Sequence, residues 1–474
     1  MKTVPQPEQL GNSPKDDPAI AGSSGADPKL RHRARTLLGL DHRLARPLPP
    51  RVERLWRLDD FAADIPFSNA MFVPAQTSDL GLLYEAIARV VDRHEALRTR
   101  LAVLDGRAIQ IAEGWKVPRL EMTKIQRAEL TDNQSGPDSA VGAFTQGKLD
   151  LYAQDGFRCH AFQDESGEVT LGVVAHGFFA DAWSSQTLLR EIRAVQSELT
   201  GETDAYLPPV HQYADYAREV RTTLNEGLYA HLDYWLSKLG SMPPARLPRD
   251  RDGDTNRRGR SFFFLAQEIA ARLAACAQER RVSLMILLLA AYQLALARWS
   301  GQKEILSAAY TADRVRPQFQ HTIGMLVTNM PIPSRIDPDA DFGAFLVELS
   351  REYYDGYAHR ELSCELYDAI FAPEAPFCAS VFNFVPLQKN FSDRDMFAVP
   401  AFGGTLTTPD AARPAIYREI YLGLSQHANG ILGKVFYNAG HFSPEAAGAF
   451  IANFQDVVQR IASDPAGAVR NFLD

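Results

Sequence analysis

The chain has 474 residues, of which 46% are hydrophobic and 23% charged, and its formal net charge at pH 7 is −8. This length favours two domains or subdomains over a single core, and the composition is that of a soluble globular protein. The acidic balance argues against a nucleic-acid-binding surface, and no apolar run has the length of a membrane span. The N-terminus lacks the pattern of a signal peptide, so we expect a cytoplasmic protein with no membrane or nucleic-acid partner.

Cysteine and glycine spacing gives no sign of a metal or nucleotide site. The cysteines are scattered, with no CxxC spacing and no paired histidine ligands, which favours reduced thiols over a disulfide or a zinc site. The sequence contains neither a glycine-rich phosphate-binding loop nor a GxSxG nucleophile elbow. We therefore expect the chain to bind no metal and no cofactor of its own. The four cysteines are Cys159, Cys276, Cys364 and Cys378.

Residues 1–45 are interpreted as a leader that precedes the folded part of the chain. Residues 1–27 are rich in Pro, Gly, Ser and Asp and have few large apolar residues, which predicts disorder. Residues 29–44 are basic and contain a short apolar cluster around Leu37 and Leu40. Two interpretations stay open for this segment. It is a short helix that docks on a partner protein, or a solvated leader that packs loosely against the domain.

Two charged segments follow in the first half of the chain. RVERLWRL occupies residues 51–58, and DRHEALRTRL occupies residues 92–101 at the end of a helix predicted over residues 82–91. Dense charge at a helix end is usually solvated or paired, so the arginines and Glu95 are expected to fix the turn through ion pairs. Their predicted role is structural.

Residues 171–192, LGVVAHGFFADAWSSQTLLREI, contain the best candidate for a functional site. The apolar run at the start predicts a buried strand that ends at His176. A tight loop with Gly177 and Asp181 follows. Apolar residues at helical spacing then predict a helix from Ser184, with that serine as the N-cap. Loop side chains held between two rigid elements can be positioned for chemistry without being packed.

The second half begins after a polar, Pro- and Gly-rich connection, where we place the boundary between residues 46–245 and residues 246–474. Alternating strand and helix patterns follow. They include a strongly apolar helix that Ser283 caps and a final amphipathic helix over residues 444–461. This alternation supports an α/β or α+β fold.

Taken in order, these segments resemble the core motifs of the condensation domains of nonribosomal peptide synthetases, in the chloramphenicol acetyltransferase-like superfamily. RHEALRTR is similar to the family's RHExLRTxF, HGFFADA to the active-site signature HHxxxDG, QYADY to YxDYA, and IGMLVTNMP to IGxFVNT. RVERLWRL and HRELSCELYDAI match the first and sixth motifs in part. The resemblance covers residues 46–474. It implies two acetyltransferase-like α/β subdomains in a V-shaped arrangement, with a central substrate tunnel.

The resemblance also implies a function and a set of site residues. It implies a free-standing, monomeric condensing enzyme of nonribosomal peptide or hybrid polyketide biosynthesis. Such an enzyme transfers an acyl group from the phosphopantetheine arm of an acyl or peptidyl carrier protein to a small-molecule amine, or to an alcohol. Asp181, on the motif's Asp, would pair with Arg314 of ADRVRP and not touch substrate. Trp183, Ser184 and Asn383 are candidates for lining the tunnel, and for Asn383 an inward-facing structural amide is an equally good interpretation.

Gly177 falls on the second His of HHxxxDG, the family's catalytic residue, and carries no base. Condensation could persist through substrate orientation, oxyanion donors and a water, or with His176 taking part. The domain could instead be inert and recruit partner proteins, or the glycine could be a substitution introduced into an ordinary HH enzyme. At a strand end the His176 side chain should point to the face opposite position 177, so we expect it to be structural.

Overall fold

The computed structural model describes residues 28–38, 46–57, 68–114, 119–131, 139–146, 149–153, 156–204, 206–243, 246–253, 258–371, 377–386 and 419–473. The segment predicted to be disordered, residues 1–27, lies outside these ranges, as do residues 39–45. Helices and strands are mixed along the chain, which confirms the predicted fold class.

The helices of the described ranges are α1 Pro28–Leu38, α2 Pro50–Arg57, α3 Leu80–Arg93, α4 Ala128–Thr131, α5 Ala140–Gln146, α6 Ala182–Leu199, α7 Tyr213–Leu239, α8 Gln267–Glu279, α9 Leu284–Ser300, α10 Phe342–Tyr357, α11 Cys364–Phe371 and α12 Pro444–Ser463. The strands are β1 Ser68–Pro74, β2 Thr99–Leu104, β3 Arg107–Ala112, β4 Met122–Lys124, β5 Phe157–Gln163, β6 Val169–His176, β7 Arg258–Ala266, β8 Glu304–Ala312, β9 Val327–Arg335, β10 Ser380–Val385, β11 Ile420–His427 and β12 Gly430–Asn438.

The strands form three sheets. A four-stranded sheet has the order β1–β6–β5–β4, and a six-stranded sheet has the order β7–β12–β11–β10–β8–β9. Strands β2 and β3 form a separate hairpin, whose turn has positive φ at Asp105 and Gly106. The chain leaves β6 at His176 and β8 at Ala312, and the segments that follow these two strands build the candidate site.

The apolar side chains form two large clusters. The first packs α3 and α6 on one face of the four-stranded sheet, and it also takes in Phe319 and Leu326 from the segment between β8 and β9. The second cluster packs α8, α9 and α12 on the six-stranded sheet. Helix α7 belongs to both, with Tyr213 in the first cluster and Trp235 in the second. The boundary at residue 245 and the V-shaped arrangement stay predictions.

Helix α1 lies against the second cluster. Its Ala34 and Leu38 are buried there. Arg31 forms an ion pair with Asp233 at 3.2 Å and lies 4.6 Å from the ring centroid of Tyr229. In the described part of the leader the helix therefore packs on its own chain, through both apolar and charged contacts.

The buried helix α9 begins as predicted, since the hydroxyl of its N-cap Ser283 accepts a hydrogen bond from the Ile286 N–H. In the described ranges no single helix has the length and hydropathy of a membrane span. Helices α8 and α9 reach those values only as a pair and are bent by 106° where they meet. All four cysteines are buried thiols outside any disulfide bond.

Candidate active site

The candidate site begins where β6 ends. Strand β6 pairs with β1 on one side and with β5 on the other, and Ala175 points into the first cluster. Because side chains alternate along a strand, His176 points to the opposite face. The N–H groups of Phe179 and Ala180 both donate to the His176 carbonyl, at 2.9 and 3.0 Å. This turn fixes the backbone between β6 and α6.

His176 is buried and hydrogen-bonded to its own loop. Its Nδ1 accepts from the Phe178 N–H at 3.1 Å, and the two rings meet edge-on with centroids 4.8 Å apart. Burial lowers the pKa of His176 to about 3. The imidazole is therefore neutral at pH 7 with its proton on Nε2, and its occupied Nδ1 makes it a poor proton acceptor.

This burial predicts an acid-sensitive fold. The His176 pKa is 6.5 in the unfolded chain and about 3 in the fold. The unfolded chain therefore binds the extra proton, and stability is lost as the pH falls below 6.5. The matched variant is His176→Asn, because its amide oxygen can still accept from the Phe178 N–H. Between pH 6.5 and pH 4.5, its free energy of unfolding in urea denaturation should fall by about 2 kcal/mol less than that of the unaltered protein. Identical losses in both proteins would contradict this assignment.

Gly177 opens the turn and is buried. Positive φ occurs at six glycines of the described ranges, and Gly177 is not one of them. Its backbone conformation is therefore open to residues that carry a side chain. The fold of the turn does not by itself require glycine at this position.

Asp181 caps α6, and the prediction that Ser184 is the N-cap is wrong. The Asp181 Oδ1 accepts from the Ser184 N–H at 2.7 Å, and the helix begins at Ala182. Aspartate caps as well as serine does, and its negative charge is also favourable at a helix N-terminus. Ser184 is fully buried in the first helical turn, where its hydroxyl donates to the Gly324 carbonyl at 2.7 Å.

Asp181 also clamps the loop to the segment between β8 and β9. Its Oδ1 accepts from Arg314 Nη2 at 2.9 Å, and its Oδ2 accepts from the Leu326 N–H at 3.0 Å. The Asp181 and Arg314 side chains are 5% and 4% exposed. Arg314 Nη1 donates to carbonyl groups of its own segment, with the shortest distance, 2.9 Å, to Thr322. The pair that the resemblance implies is present, and both of its charges are buried and hydrogen-bonded.

Gly324 allows the loop and this segment to meet. Its carbonyl accepts from the Asp181 N–H at 3.1 Å. A Cβ on Gly324 would lie 2.2 Å from a ring carbon of Tyr213, which is 1% exposed. Close packing therefore explains the glycine of IGMLVTNMP.

Replacing Gly324 by Ala should lower the free energy of unfolding by about 1–3 kcal/mol, because the buried Tyr213 ring has to move. Gly448→Ala is the matched control. Gly448 lies in α12 with nothing within 4 Å of its Cβ position, so alanine there should raise the free energy of unfolding by about 0.4–1 kcal/mol. Urea denaturation measures both variants, and effects of the same sign and size would rule out the packing explanation.

The other two predicted site residues lie on different elements. Trp183 is partly exposed on the first turn of α6, and the Arg314 guanidinium carbon lies 5.8 Å from its ring centroid. Asn383 lies on β10, where its Nδ2 donates to the Tyr421 hydroxyl at 2.8 Å. Asn383 is therefore part of the six-stranded sheet and has no contact with the Asp181 clamp. That these residues line a tunnel stays a prediction.

RHEALRTR forms a structural joint between α3, α6 and α7. Arg93 Nε and His94 Nε2 lie 2.9 and 2.8 Å from the carboxylate of Glu191, which is 1% exposed. Gln212 of QYADY accepts from the Glu95 N–H at 3.0 Å and donates to the Arg93 carbonyl at 3.1 Å. The segment's charges thus hold neighbouring helices together, with partners on α6 that the local sequence pattern does not reveal.

A buried ion pair joins the two partially matching motifs. Arg51 of RVERLWRL and Glu365 of HRELSCELYDAI lie 3.0 Å apart, with side chains 6% and 2% exposed. Asn329 Nδ2 donates to the same carboxylate at 2.8 Å, and Arg51 Nη2 donates to the Tyr310 hydroxyl at 3.1 Å. Sequence reasoning missed this pair, since its residues are 314 positions apart and share no local pattern. In the described ranges no three His, Cys, Asp or Glu side chains are grouped to hold a metal.

Comparison with known proteins identifies the family. The model of the family described as Condensation domain matches residues 53–473, and the chain belongs to this family. Its domains are amide-forming acyltransferases of nonribosomal peptide and polyketide biosynthesis, although some members are non-catalytic.

Three relatives illustrate the likeness. Phosphinothricin tripeptide synthetase PhsC of Streptomyces viridochromogenes is 26% identical over 465 residues, which cover 94% of this chain and 41% of that protein, so the chain spans less than half of this relative. The condensation domain from Monacolin K polyketide synthase MokA has a TM-score of 0.73 at 21% identity and covers 90% of this chain and 99% of its own. The X-domain in complex with OxyB from teicoplanin biosynthesis has a TM-score of 0.69 at 18% identity. This match covers 96% of this chain and 98% of the other. These structures confirm the acetyltransferase-like fold.

Proposed function

We propose that this chain is a condensing acyltransferase that works without a side-chain base at position 177. It transfers an acyl group from the phosphopantetheine thioester of a carrier protein to an amine or, as a variant, an alcohol. The observation that supports the proposal is the clamp around the loop, in which Asp181 caps α6 and binds Arg314 in a buried pair. A loop held in this way keeps a fixed geometry, and substrate orientation depends on that.

The reaction can proceed without a side-chain base at position 177. A neutral amine attacks the thioester carbonyl carbon, a tetrahedral oxyanion forms, and the carbon–sulfur bond then breaks as the thiolate leaves. The amine nitrogen gives up one proton, which a water molecule can pass to the departing thiolate. Orientation of two bound reactants supplies up to about 7–11 kcal/mol of the barrier, whereas a general base contributes about 10²–10⁴-fold in rate. Orientation is thus the larger effect.

His176 does not take over the role of base in this proposal. Its Nδ1 is occupied by the Phe178 N–H, and burial lowers its pKa to about 3. An acceptor with so low a pKa holds a proton from an ammonium only weakly at neutral pH. His176 instead anchors the turn that presents Gly177.

A second candidate function is a non-catalytic recruitment module. Gly177 is the observation that favours it, because a domain that only binds a partner has no need of a base. The X-domain bound to OxyB shows that a protein of this fold forms a complex with another protein. In this alternative the chain holds a partner protein and forms no product from an acyl thioester.

The two candidates are separated by an assay with an acyl-loaded carrier protein and a panel of amines and alcohols. Products are identified by mass spectrometry, and the carrier without its phosphopantetheine arm is the control. The condensing enzyme is expected to give an amide or ester that depends on the loaded arm. Stable capture of a partner protein together with no product from any acceptor would establish recruitment instead.

A further inference from the structure

Strand β7 forms one edge of the six-stranded sheet, and β9 forms the other. Within the described ranges the backbone of β7 pairs with β12 alone. In an antiparallel pair only every second residue turns its N–H and C=O groups toward the partner strand. The groups of the remaining residues therefore point away from β12 and form an open row along this edge.

The two edges of the sheet differ in how they are protected. Strand β9 contains Pro331 and Pro333, which have no N–H to offer to an added strand. Strand β7 has the sequence RGRSFFFLA, without proline, and all nine of its residues pair with β12 without a bulge. Long, regular, apolar edge strands attract further strands, and prolines and bulges are the usual means of preventing this. The β7 edge has neither, which favours its use as an interface.

The face of β7 that points away from α12 is aromatic. Phe263 packs toward that helix, where its ring centroid lies 5.8 Å from that of Phe454. Because side chains alternate along a strand, Arg260, Phe262 and Phe264 share the opposite face. Phe262 is partly exposed, and Phe264 is 46% exposed. These two rings lie at the sheet edge, where a further strand would cover them.

The residue order of β7 is complementary to itself in the antiparallel direction. The strand begins with Arg258 and Arg260, contains no acid, and carries no charge in its second half. When all nine residues of two copies pair antiparallel, Phe262 lies opposite Phe262, and Arg260 lies opposite Phe264. A guanidinium beside an aromatic ring is a favourable pair, and symmetry gives two of them. Parallel pairing would instead place the arginines of the two copies side by side, where like charges repel.

We propose that β7 pairs with β7 of a second copy of this chain, antiparallel and with Phe262 on the two-fold axis. This joins the two six-stranded sheets into one. Such an interface is isologous, the commonest kind in homo-oligomers. It differs from the monomer that the resemblance implies, and it does not depend on the proposed function. A single strand pair is a small contact, so we expect a dissociation constant of about 1–100 μM.

Sedimentation velocity of the full chain, at concentrations on both sides of that range, measures the association. We expect a shift from the mass of one chain, 52.6 kDa, to twice that mass. Phe264→Lys places an ammonium opposite Arg260 of the second copy, so it should raise the dissociation constant by about tenfold or more. Phe264→Glu is the matched variant. It removes the same ring but places a carboxylate opposite Arg260, so the dissociation constant should stay within about threefold. Thermal unfolding shows whether both variants are folded.

Cysteine crosslinking tests the position of the two-fold axis. Phe262→Cys brings two thiols face to face, and a mild oxidant should join them into a disulfide-linked dimer. Phe264→Cys is the control at a more exposed position of the same strand. In the proposed register its two thiols lie about 13 Å apart along the strands, too far for a disulfide. The four natural cysteines are buried and should not react.

Each outcome has a definite meaning. A dimer that Phe264→Lys weakens more than Phe264→Glu does, and that crosslinks through position 262, supports the inference. A protein that stays monomeric over the whole concentration range would overturn it and leave the edge open to an extended segment of another protein. Equal effects of the lysine and glutamate variants, or crosslinking through position 264 as readily as through position 262, would overturn the proposed strand pairing.

Discussion

Replacing Arg314 by Met should lower the free energy of unfolding by about 3–5 kcal/mol, because the substitution strands a buried carboxylate. The side chain of Asp181 is 5% exposed and would keep only the N–H groups of Ser184 and Leu326 as partners. The loop after β6 would also lose its clamp to the segment between β8 and β9. Acyl transfer should therefore fall together with stability. Urea denaturation followed by circular dichroism measures the first effect.

Arg272→Met is the matched control for this prediction. Arg272 pairs with Glu268 on the surface of α8, where the side chains are 50% and 74% exposed, so the change should cost about 0–1 kcal/mol. Adding Asp181→Asn to Arg314→Met should recover part of the loss, because asparagine keeps the cap and removes the stranded charge. If Arg314→Met destabilises the protein no more than Arg272→Met does, the buried pair does not hold the loop.

A histidine at position 177 should speed acyl transfer by about 10²–10⁴-fold, the usual contribution of a general base. The backbone of Gly177 admits a side chain, since its φ is not positive. The His176 ring is held by the Phe178 N–H, so its position should stay the same in the variant. The rate of amide formation from an acyl-carrier thioester, under single-turnover conditions, measures the gain.

The Gly177→Ala variant distinguishes the effect of a base on the rate from the effect of adding any side chain. Alanine adds a Cβ without a titratable group, so its rate should stay within a few-fold of the unaltered protein. An equal rise in both variants would assign the gain to a stiffer loop. If thermal unfolding shows that the Gly177→His protein is folded, and its acyl transfer is no faster than that of the unaltered protein, then position 177 does not face the reacting groups.

The strand, the turn and the helix of the candidate site could be predicted because each follows from a local pattern. An apolar run ends at His176, and helical spacing begins within three residues of the observed helix start at Ala182. The N-cap Ser283 is predicted for the same reason, since a serine directly before a strongly apolar helix is a local signal. Elements that depend only on neighbours in sequence are therefore well anticipated.

Contacts between distant segments could not be predicted in the same way. Asp181 and Ser184 are close in sequence and either residue type is a good N-cap, so the local pattern does not decide between them. The carbonyl that accepts from the Ser184 hydroxyl belongs to Gly324, 140 positions away.

The most direct test of the account is the single-turnover rate of amide formation by the unaltered protein, measured against the same mixture without it. The substrates are an acyl-loaded carrier protein and an excess of amine. We predict an acceleration of about 10³-fold or more, because orientation of the two reactants supplies several kcal/mol of the barrier. A rate equal to that of the protein-free mixture, with the carrier still bound, would contradict condensation without a base at Gly177.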